Sequence, residues 1–284
     1  MPEIQIIKPS VLLIEEPDLL KKIELAGRVC YKSEDRITEG SAEKFVRMLC
    51  KNRHTAMTEH GTVYLTCKQG IVSSPWHDIL LSPYSHINVV DTEYEYITTN
   101  FRVIFEALNE DYDQTMSFIE HYALKRPTKD HELRHSFRII CDRGVSHELV
   151  RHRVFSFGQE STRYVAYGIK QPFFFIEPSW WEERMSYEPV PGQLTMEHQL
   201  FVRFCQTSAD LYSQLLELGQ TPQQARAIFP NAIKTEVVMT GTRSQWKEFL
   251  KLRTAPSAHP DMQIIANQIE SYIPLRETTN SEGN

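Results

Sequence analysis

The chain has 284 residues, of which 31 are Lys or Arg and 37 are Asp or Glu, for a formal net charge of −6. An apolar fraction of 41% and a charged fraction of 24% exclude wholesale disorder and collagen-like repeats, and they supply a sizeable core. The acidic balance argues against general coating of nucleic acid, so any polyanion site has to come from a local cluster.

In chain order, residues 4–7 and 11–14 flank Pro9 and read as short strands. Pro17 opens a helical pattern through Leu20, Ile23 and Ala26 toward Cys30. Ser41 is the expected N-cap of a second helix, with Glu43 in its first turn and Phe45, Val46 and Leu49 on one face. Thr62–Thr66 reads as a strand. Residues 71–98 show no clear period and are expected to be loops with one short strand. Helices are expected over 100–108 and 113–124. Phe137, Ile139 and Cys141 alternate with Ser136, Arg138 and Ile140, which is a strand period. A short helix follows over 145–150, and Pro172–Ile176 reads as another strand.

Leu200, Phe204, Leu211, Leu215 and Leu218 repeat at helical spacing up to Gly219, so a long helix is expected with a C-terminal stop there. Thr221, Pro222 and Gln224 form a helix-start signature, and the short helix they open carries Arg226. Thr235–Thr240 is an expected strand, with helices over 244–253 and 259–272. No repeat or linker interrupts the pattern. The expected organisation is one α+β domain, 1–276, of mixed helices and antiparallel sheet, with an insertion at about 70–130 and a disordered tail over 277–284.

Five cysteines, Cys30, Cys50, Cys67, Cys141 and Cys205, are thinly spread and contain no C-x-x-C. Reduced thiols and a cytoplasmic location are expected. The opening residues MPEIQIIKPS lack a basic region followed by a long apolar run, so no secretory leader is expected. Phe173–Ile176 is far too short to span a bilayer, and no membrane partner is expected.

The densest polar cluster is Arg151-His152-Arg153 followed by Gln159 through Tyr164. Between residues 143 and 170 five basic side chains, Lys170 among them, face only Glu148 and Glu160. Arginine forks pair with phosphate or carboxylate oxygens, and Ser161 and Thr162 add hydroxyl donors. The cluster therefore reads either as a phosphate site for a nucleotide or as an exposed basic turn. A second set comprises Arg226, Arg243 and Arg253. Arg253 at a helix C-terminus complements the macrodipole, whereas Arg226 near a helix N-terminus is disfavoured there, which points to a ligand role. His131-Glu132-Leu133-Arg134-His135 matches the zinc pattern H-E-x-x-H. It runs straight into the 136–141 strand, so the two histidines are not expected to share a helix face, and no metal site is expected. No G-x-G-x-x-G, Walker A loop or G-x-S-x-G elbow is present.

RHRVFSFGQES, Arg151–Ser161, fits the R-H-R-x7-S signature of the flavin-dependent thymidylate synthases. GRVCYKS (27–33), TEHGTVYLT (58–66), ICDRGVSHELVRHR (140–153), QESTRY (159–164), ARAIFPNAIKTEVVMT (225–240) and FLKLRT (249–254) also resemble this family, in the family's order. The resemblance implies a mixed α+β homotetramer whose active sites lie where subunits meet. It further implies methylation of dUMP at C5, with 5,10-methylenetetrahydrofolate as the one-carbon donor and NADPH as reductant through FAD. By the same resemblance, FAD contacts are expected from His60, Thr62, Arg151, His152, Arg153 and Gln159. Thr242, Arg243, Ser244 and Glu248 are expected on the flavin side as well. The dUMP contacts expected are Glu148, Leu149, Val150, Arg151, Gln159, Glu160, Ser161, Thr162, Arg163, Arg226 and Arg253, with Arg253 catalytic through the pyrimidine.

The chain departs from the family at Thr242, where Asn is frequent, at Glu248, where Asn or His is frequent, and at Ser244, where a basic residue is frequent. Arg243 is expected to replace the missing basic contact. Two other readings stay open: flavin-dependent methylation of another uridine nucleotide, and a non-catalytic nucleotide- or RNA-binding relative. The net acidity and the extent of the signature favour an enzyme with small-molecule partners and no nucleic acid.

Overall fold

The computed structural model describes residues 1–90, 92–163, 166–169, 172–183 and 194–273. Tyr164, Lys170 and the 277–284 tail lie outside them. In chain order the strands are β1 (Ile4–Ile7), β2 (Ser10–Leu13), β3 (Thr62–Lys68), β4 (His86–Val89), β5 (Tyr94–Asn100), β6 (Arg134–Asp142), β7 (Ser156–Gln159), β8 (Phe173–Ile176) and β9 (Lys234–Thr242). The helices are α1 (Leu19–Tyr31), α2 (Ser41–Lys51), α3 (Trp76–Leu81), α4 (Phe101–Ala107), α5 (Tyr112–Tyr122), α6 (Arg143–Leu149), α7 (Trp180–Glu183), α8 (Met196–Glu217), α9 (Pro222–Ala225), α10 (Arg243–Arg253) and α11 (Pro260–Glu270).

The central sheet is antiparallel in the order β2-β6-β9-β7. All nine residues of β9 are buried, as a strand paired on both edges and covered on both faces requires. Its two faces differ. Val237 and Met239, with Phe137, Ile139 and Cys141 of β6, pack under Trp246, Phe249 and Leu250 of α10 and Met262, Ile265 and Ile269 of α11. The other face carries Glu236 and Thr240 and is covered in part by Ala26 and Val29 of α1 against Val238. Fully buried aliphatic and aromatic side chains contribute ~1.5–3 kcal/mol each, so the α10–α11 face dominates the stability of this sheet.

A second antiparallel sheet, β3-β5-β4, packs Val63, Leu65 and Ile97 on Trp76, Ile79, Ile104 and Phe118. A third pairing, β1 with β8, is parallel and lies under α8 through Phe173, Phe175, Cys205 and Tyr212. The mixed α+β architecture is therefore present, with one parallel pair beside the expected antiparallel sheets.

Three local expectations are corrected. Residues 71–98 contain α3, β4 and most of β5 rather than loops with one strand. A six-residue helix is too short to establish a period, and β5 is strand because β3 supplies its hydrogen bonds. The cap of α2 is Gly40, in left-handed backbone with φ 74°, not Ser41, whose hydroxyl donates to Glu24 Oε2 at 2.8 Å. Arg226 closes α9 and opens a 3-10 turn (Arg226–Ile228), so the electrostatic conflict expected at a helix N-terminus does not arise.

Candidate active site

The segment between β6 and β7 is bent by α6, whose N-cap Asp142 accepts from Val145 N at 2.8 Å. The turn after α6 carries the Arg151-His152-Arg153 cluster beneath the last turn of α10. There Arg253 Nη1 donates to Glu148 Oε2 at 2.6 Å, and Arg253 Nε donates to His152 Nε2 at 2.9 Å. The imidazole packs edge-on against Phe249, with centroids 4.8 Å apart. Burial, with the adjacent Arg253 charge, pushes His152 down to about 4, so at neutral pH it is the uncharged acceptor the Arg253 bond needs. A guanidinium is thereby held in one orientation by a carboxylate and a neutral imidazole. Arg151 and Arg153 are exposed, Val150 is exposed, and Leu149 is fully buried in the core.

Beyond β7 the chain passes close to α9. Arg226 Nη1 donates to Thr162 Oγ1 at 3.0 Å, and Arg163 Nε donates to Gln223 Oε1 at 2.9 Å. Ser161 N donates to Cys30 O at 3.0 Å, which ties this segment to the end of α1. Two members of the second arginine set thus meet the 148–163 segment, Arg253 at its start and Arg226 at its end, whereas Arg243 lies apart beside Leu133. Gln159 turns inward and donates to Ser146 Oγ at 3.0 Å and Thr235 Oγ1 at 3.2 Å. Glu160 is 5% exposed and accepts from Lys234 Nζ at 3.0 Å and from the Tyr167 hydroxyl at 3.1 Å. Lys234 also reaches Glu236, which further binds Lys32 and Arg138. Burial alone would raise the Glu236 carboxyl, but Lys234 and Lys32 overcome it and hold it at about 2. This network fastens the floor of the 159–163 segment to β9, β6 and α1.

On the expected flavin side, His60 has no exposed surface, and its Nδ1 is 2.8 Å from Thr240 Oγ1. Its Nε2 has no hydrogen-bond partner among the described residues. Burial, then Arg134, then Lys22 push it down to about 3. Thr62 Oγ1 accepts from Arg134 Nη1 at 3.4 Å. Thr242 caps α10 in a reciprocal pair with Gln245, Ser244 N donates to Glu132 Oε1 at 2.7 Å, and Arg243 N donates to Leu133 O at 2.7 Å. Glu248 is exposed on α10. Thr242 opens onto a small cleft of about 100 Å³ lined also by Arg134, Ser156, Asn100, Gln245 and residues 83–86. Among the described residues no carboxylate lines it, so its donors fit a phosphate-bearing group such as FAD.

Arg134, Ser156 and the Lys234–Glu236 pair are the residues sequence reasoning passed over. Arg134 lies inside the zinc-like pattern, where the eye goes to the histidines. His131 sits in a loop and hydrogen-bonds Leu65 O at 3.0 Å, while His135 is on β6, so no helix face joins them. Among the described residues no three His, Cys, Asp or Glu converge as a metal set, and no helix is long and apolar enough to cross a membrane.

The family described as "Thymidylate synthase complementing protein" matches residues 105–273, beginning inside the segment expected as an insertion. Flavin-dependent thymidylate synthases of Mycobacterium avium (strain 104) and Mycobacterium tuberculosis (strain H37Rv) are 33% and 32% identical over 132 residues. In both cases this is 45% of this chain and 51% of the relative, so the chain spans about half the length of the curated relatives it matches. Two solved structures of the UMP/dUMP methylase PolB from Streptomyces cacaoi, bound with 5-Br dUMP and 5-Br UMP, are similar at TM-scores of 0.43 and 0.44. Their identities are 19% and 18%, and each covers 95% of this chain and 91% or 90% of the other. With a family match over more than half its length, taking in both arginine sets, the chain belongs to the thymidylate synthase complementing proteins.

Proposed function

We propose that the chain catalyses flavin-dependent reductive methylation of dUMP at C5, with 5,10-methylenetetrahydrofolate as one-carbon donor and NADPH as reductant. The observation that carries this reading is the Arg253–Glu148–His152 cluster at the head of the 148–163 segment. In the overall reaction C5 gives up its proton and gains the methylene carbon, two electrons reduce that carbon to methyl, and tetrahydrofolate leaves. Bound FAD would supply the two-electron transfer from NADPH to the one-carbon unit; the remaining tasks fall to the chain.

Arg253 stabilises negative charge developing on the pyrimidine ring, and its fixed orientation removes the need to reorganise during the reaction. Neutral His152 leaves the Arg253 charge intact while holding it in place. Arg226, Arg163, Ser161 and Thr162 take the nucleotide phosphate, with Arg151, Val150 and Leu149 shaping the turn beside it. Glu160 and Gln159 act from beneath, through Lys234 and Thr235. Arg151, His152, Arg153, Thr62 and Thr242 serve the flavin, with His60 behind them and Arg243 in place of a basic residue at Ser244. The working unit is a single domain, 1–276, with an insertion at about 70–130. It assembles as a cytoplasmic homotetramer whose subunits complete one another's sites.

The test is anaerobic product analysis with FAD, dUMP, methylenetetrahydrofolate and NADPH. Formation of dTMP that requires every component, and that falls about 100-fold or more in Arg253→Ala, is the expected outcome. Flavin turnover with UMP but not dUMP methylated shifts the substrate to a ribonucleotide. Absence of both flavin binding and product overturns the reading.

A further inference from the structure

Most of the residues that announce α8 in the sequence are not the ones that bury it. Cys205, Ala209 and Tyr212 pack on Phe173 and Phe175 of β8. Met196, Leu200, Phe204, Leu211 and Leu218 face away, and each is between 46% and 79% exposed. From Met196 onward these residues are 4, 4, 7 and 7 positions apart, and each step returns to the same side of a helix. The five therefore form one continuous stripe, with the exposed Thr207 and Gln214 filling its gaps. A helix of 22 residues carries that stripe over about 33 Å. An apolar strip of this length, rimmed by polar side chains, marks a contact surface.

The charges beside the stripe select what covers it. They are Glu197, Arg203, Asp210 and Glu217, three acids against one base. Helices that lie on an anionic lipid surface have basic polar edges, and this edge is acidic. Arg203 and Asp210 stand seven positions apart, on one flank of the stripe and with opposite charge. Arg203 is exposed and has no ion pair among the described residues, and Asp210 accepts from Gln206 Nε2 of its own helix at 3.2 Å.

A two-fold contact uses the same patch on both copies, so the patch must complement itself. An acid and a base on one flank, one on each side of the centre of the helix, meet that condition. Two such helices set antiparallel, with the axis at the level of residues 205 and 206, bring Leu200 level with the partner's Leu211 and Phe204 level with the partner's Thr207. Leu218 then reaches the partner's Leu194, which is exposed as well. Arg203 of each copy stands within one helical turn of the partner's Asp210, so the symmetry forms two ion pairs at once.

We propose that the exposed face of α8 is an interface between two copies of this chain, packed antiparallel with Arg203 and Asp210 paired across the axis. The inference does not rest on the proposed function.

The test is sedimentation velocity of the full chain over about a hundredfold range of concentration, without nucleotide or flavin. The wild type is expected to associate reversibly. Phe204→Glu and Leu211→Glu, both at exposed positions, are expected to halve the limiting mass whatever other faces assemble. Arg203→Asp and Asp210→Arg are each expected to weaken association at least tenfold, and the variant carrying both to restore it to within about threefold of wild type. That recovery identifies the occupant as a second copy, since no other partner carries the reversed charges. A wild type whose mass none of these variants changes overturns the proposal, and so does a double variant as weak as the single ones. Single reversals that leave the mass untouched overturn the antiparallel pairing. Unchanged mass, with binding to phosphatidylcholine–phosphatidylglycerol vesicles that Phe204→Glu abolishes, assigns the stripe to lipid and overturns the second copy.

Discussion

His60 and His152 sit where protonation is opposed, at about 3 and about 4, against ~6.5 for a free imidazole. An unfolded chain takes up these two protons as pH falls through 6.5, and the folded chain does not. Each histidine therefore makes the folded state lose roughly 1 kcal/mol per pH unit between pH 6.5 and its own folded value. Glu236, held at about 2, is lowered as well, so its contribution is also lost as pH falls; it is present above ~4.5 and is lost only below that. Urea melts at pH 7, 6 and 5 are expected to show stability falling across this range, with a shallower slope in His60→Gln. A flat profile between pH 7 and 5 contradicts the burial of these two rings. The types of these residues were legible in the sequence, and so was the pairing of Arg253 with the cluster at Arg151–Arg153. Their surroundings were not. His60 and Glu160 read as ligand contacts, but each is enclosed by β9, a partner 180 or 76 positions away in the cases of Thr240 and Glu236.

The elements that carry the site are those whose ends are fixed by local chemistry. Thr242 closes β9 and caps α10, with Thr242 N donating to Gln245 Oε1 at 2.8 Å and Gln245 N to Thr242 Oγ1 at 3.2 Å. One residue earlier, Gly241 lies so close to Phe155 that a Cβ would stand 2.4 Å from the ring. The strand-to-helix corner that aims α10, and with it Arg253, thus depends on a threonine and a glycine in sequence. Thr242→Ala is expected to cost about 1 kcal/mol in chemical denaturation, the usual worth of such a cap. At this scale the sequence was most readable where caps and periods are local, as in α1, α8, α9 and α10. It was least readable in α3, which is too short for a period, and in β7, whose SFGQ becomes a strand only because β9 lies beside it.

Across the whole molecule one carboxylate joins the most distant parts. Glu236 on β9 binds Lys32 after α1, Arg138 on β6 and Lys234, and Lys234 in turn holds Glu160 beneath the 159–163 segment. Removing a central anion leaves three partly buried cations facing one another, and breaking such a set costs ~3–5 kcal/mol. Glu236→Leu is therefore expected to lower the melting temperature by several degrees, with loss of dUMP affinity preceding loss of fold. An unchanged melt locates the stability elsewhere. The order of strands has a further consequence, for a chain emerging from the ribosome. β9 is the middle of its sheet, but it is made after both of its neighbours, β6 and β7. Until residues 234–242 emerge, β6 and β7 present open edges, and the 148–163 segment lacks its scaffold. A nascent chain arrested near residue 230 is thus a vulnerable species: protease-sensitive, prone to edge pairing and a natural client for chaperones, whereas one arrested some tens of residues later is not.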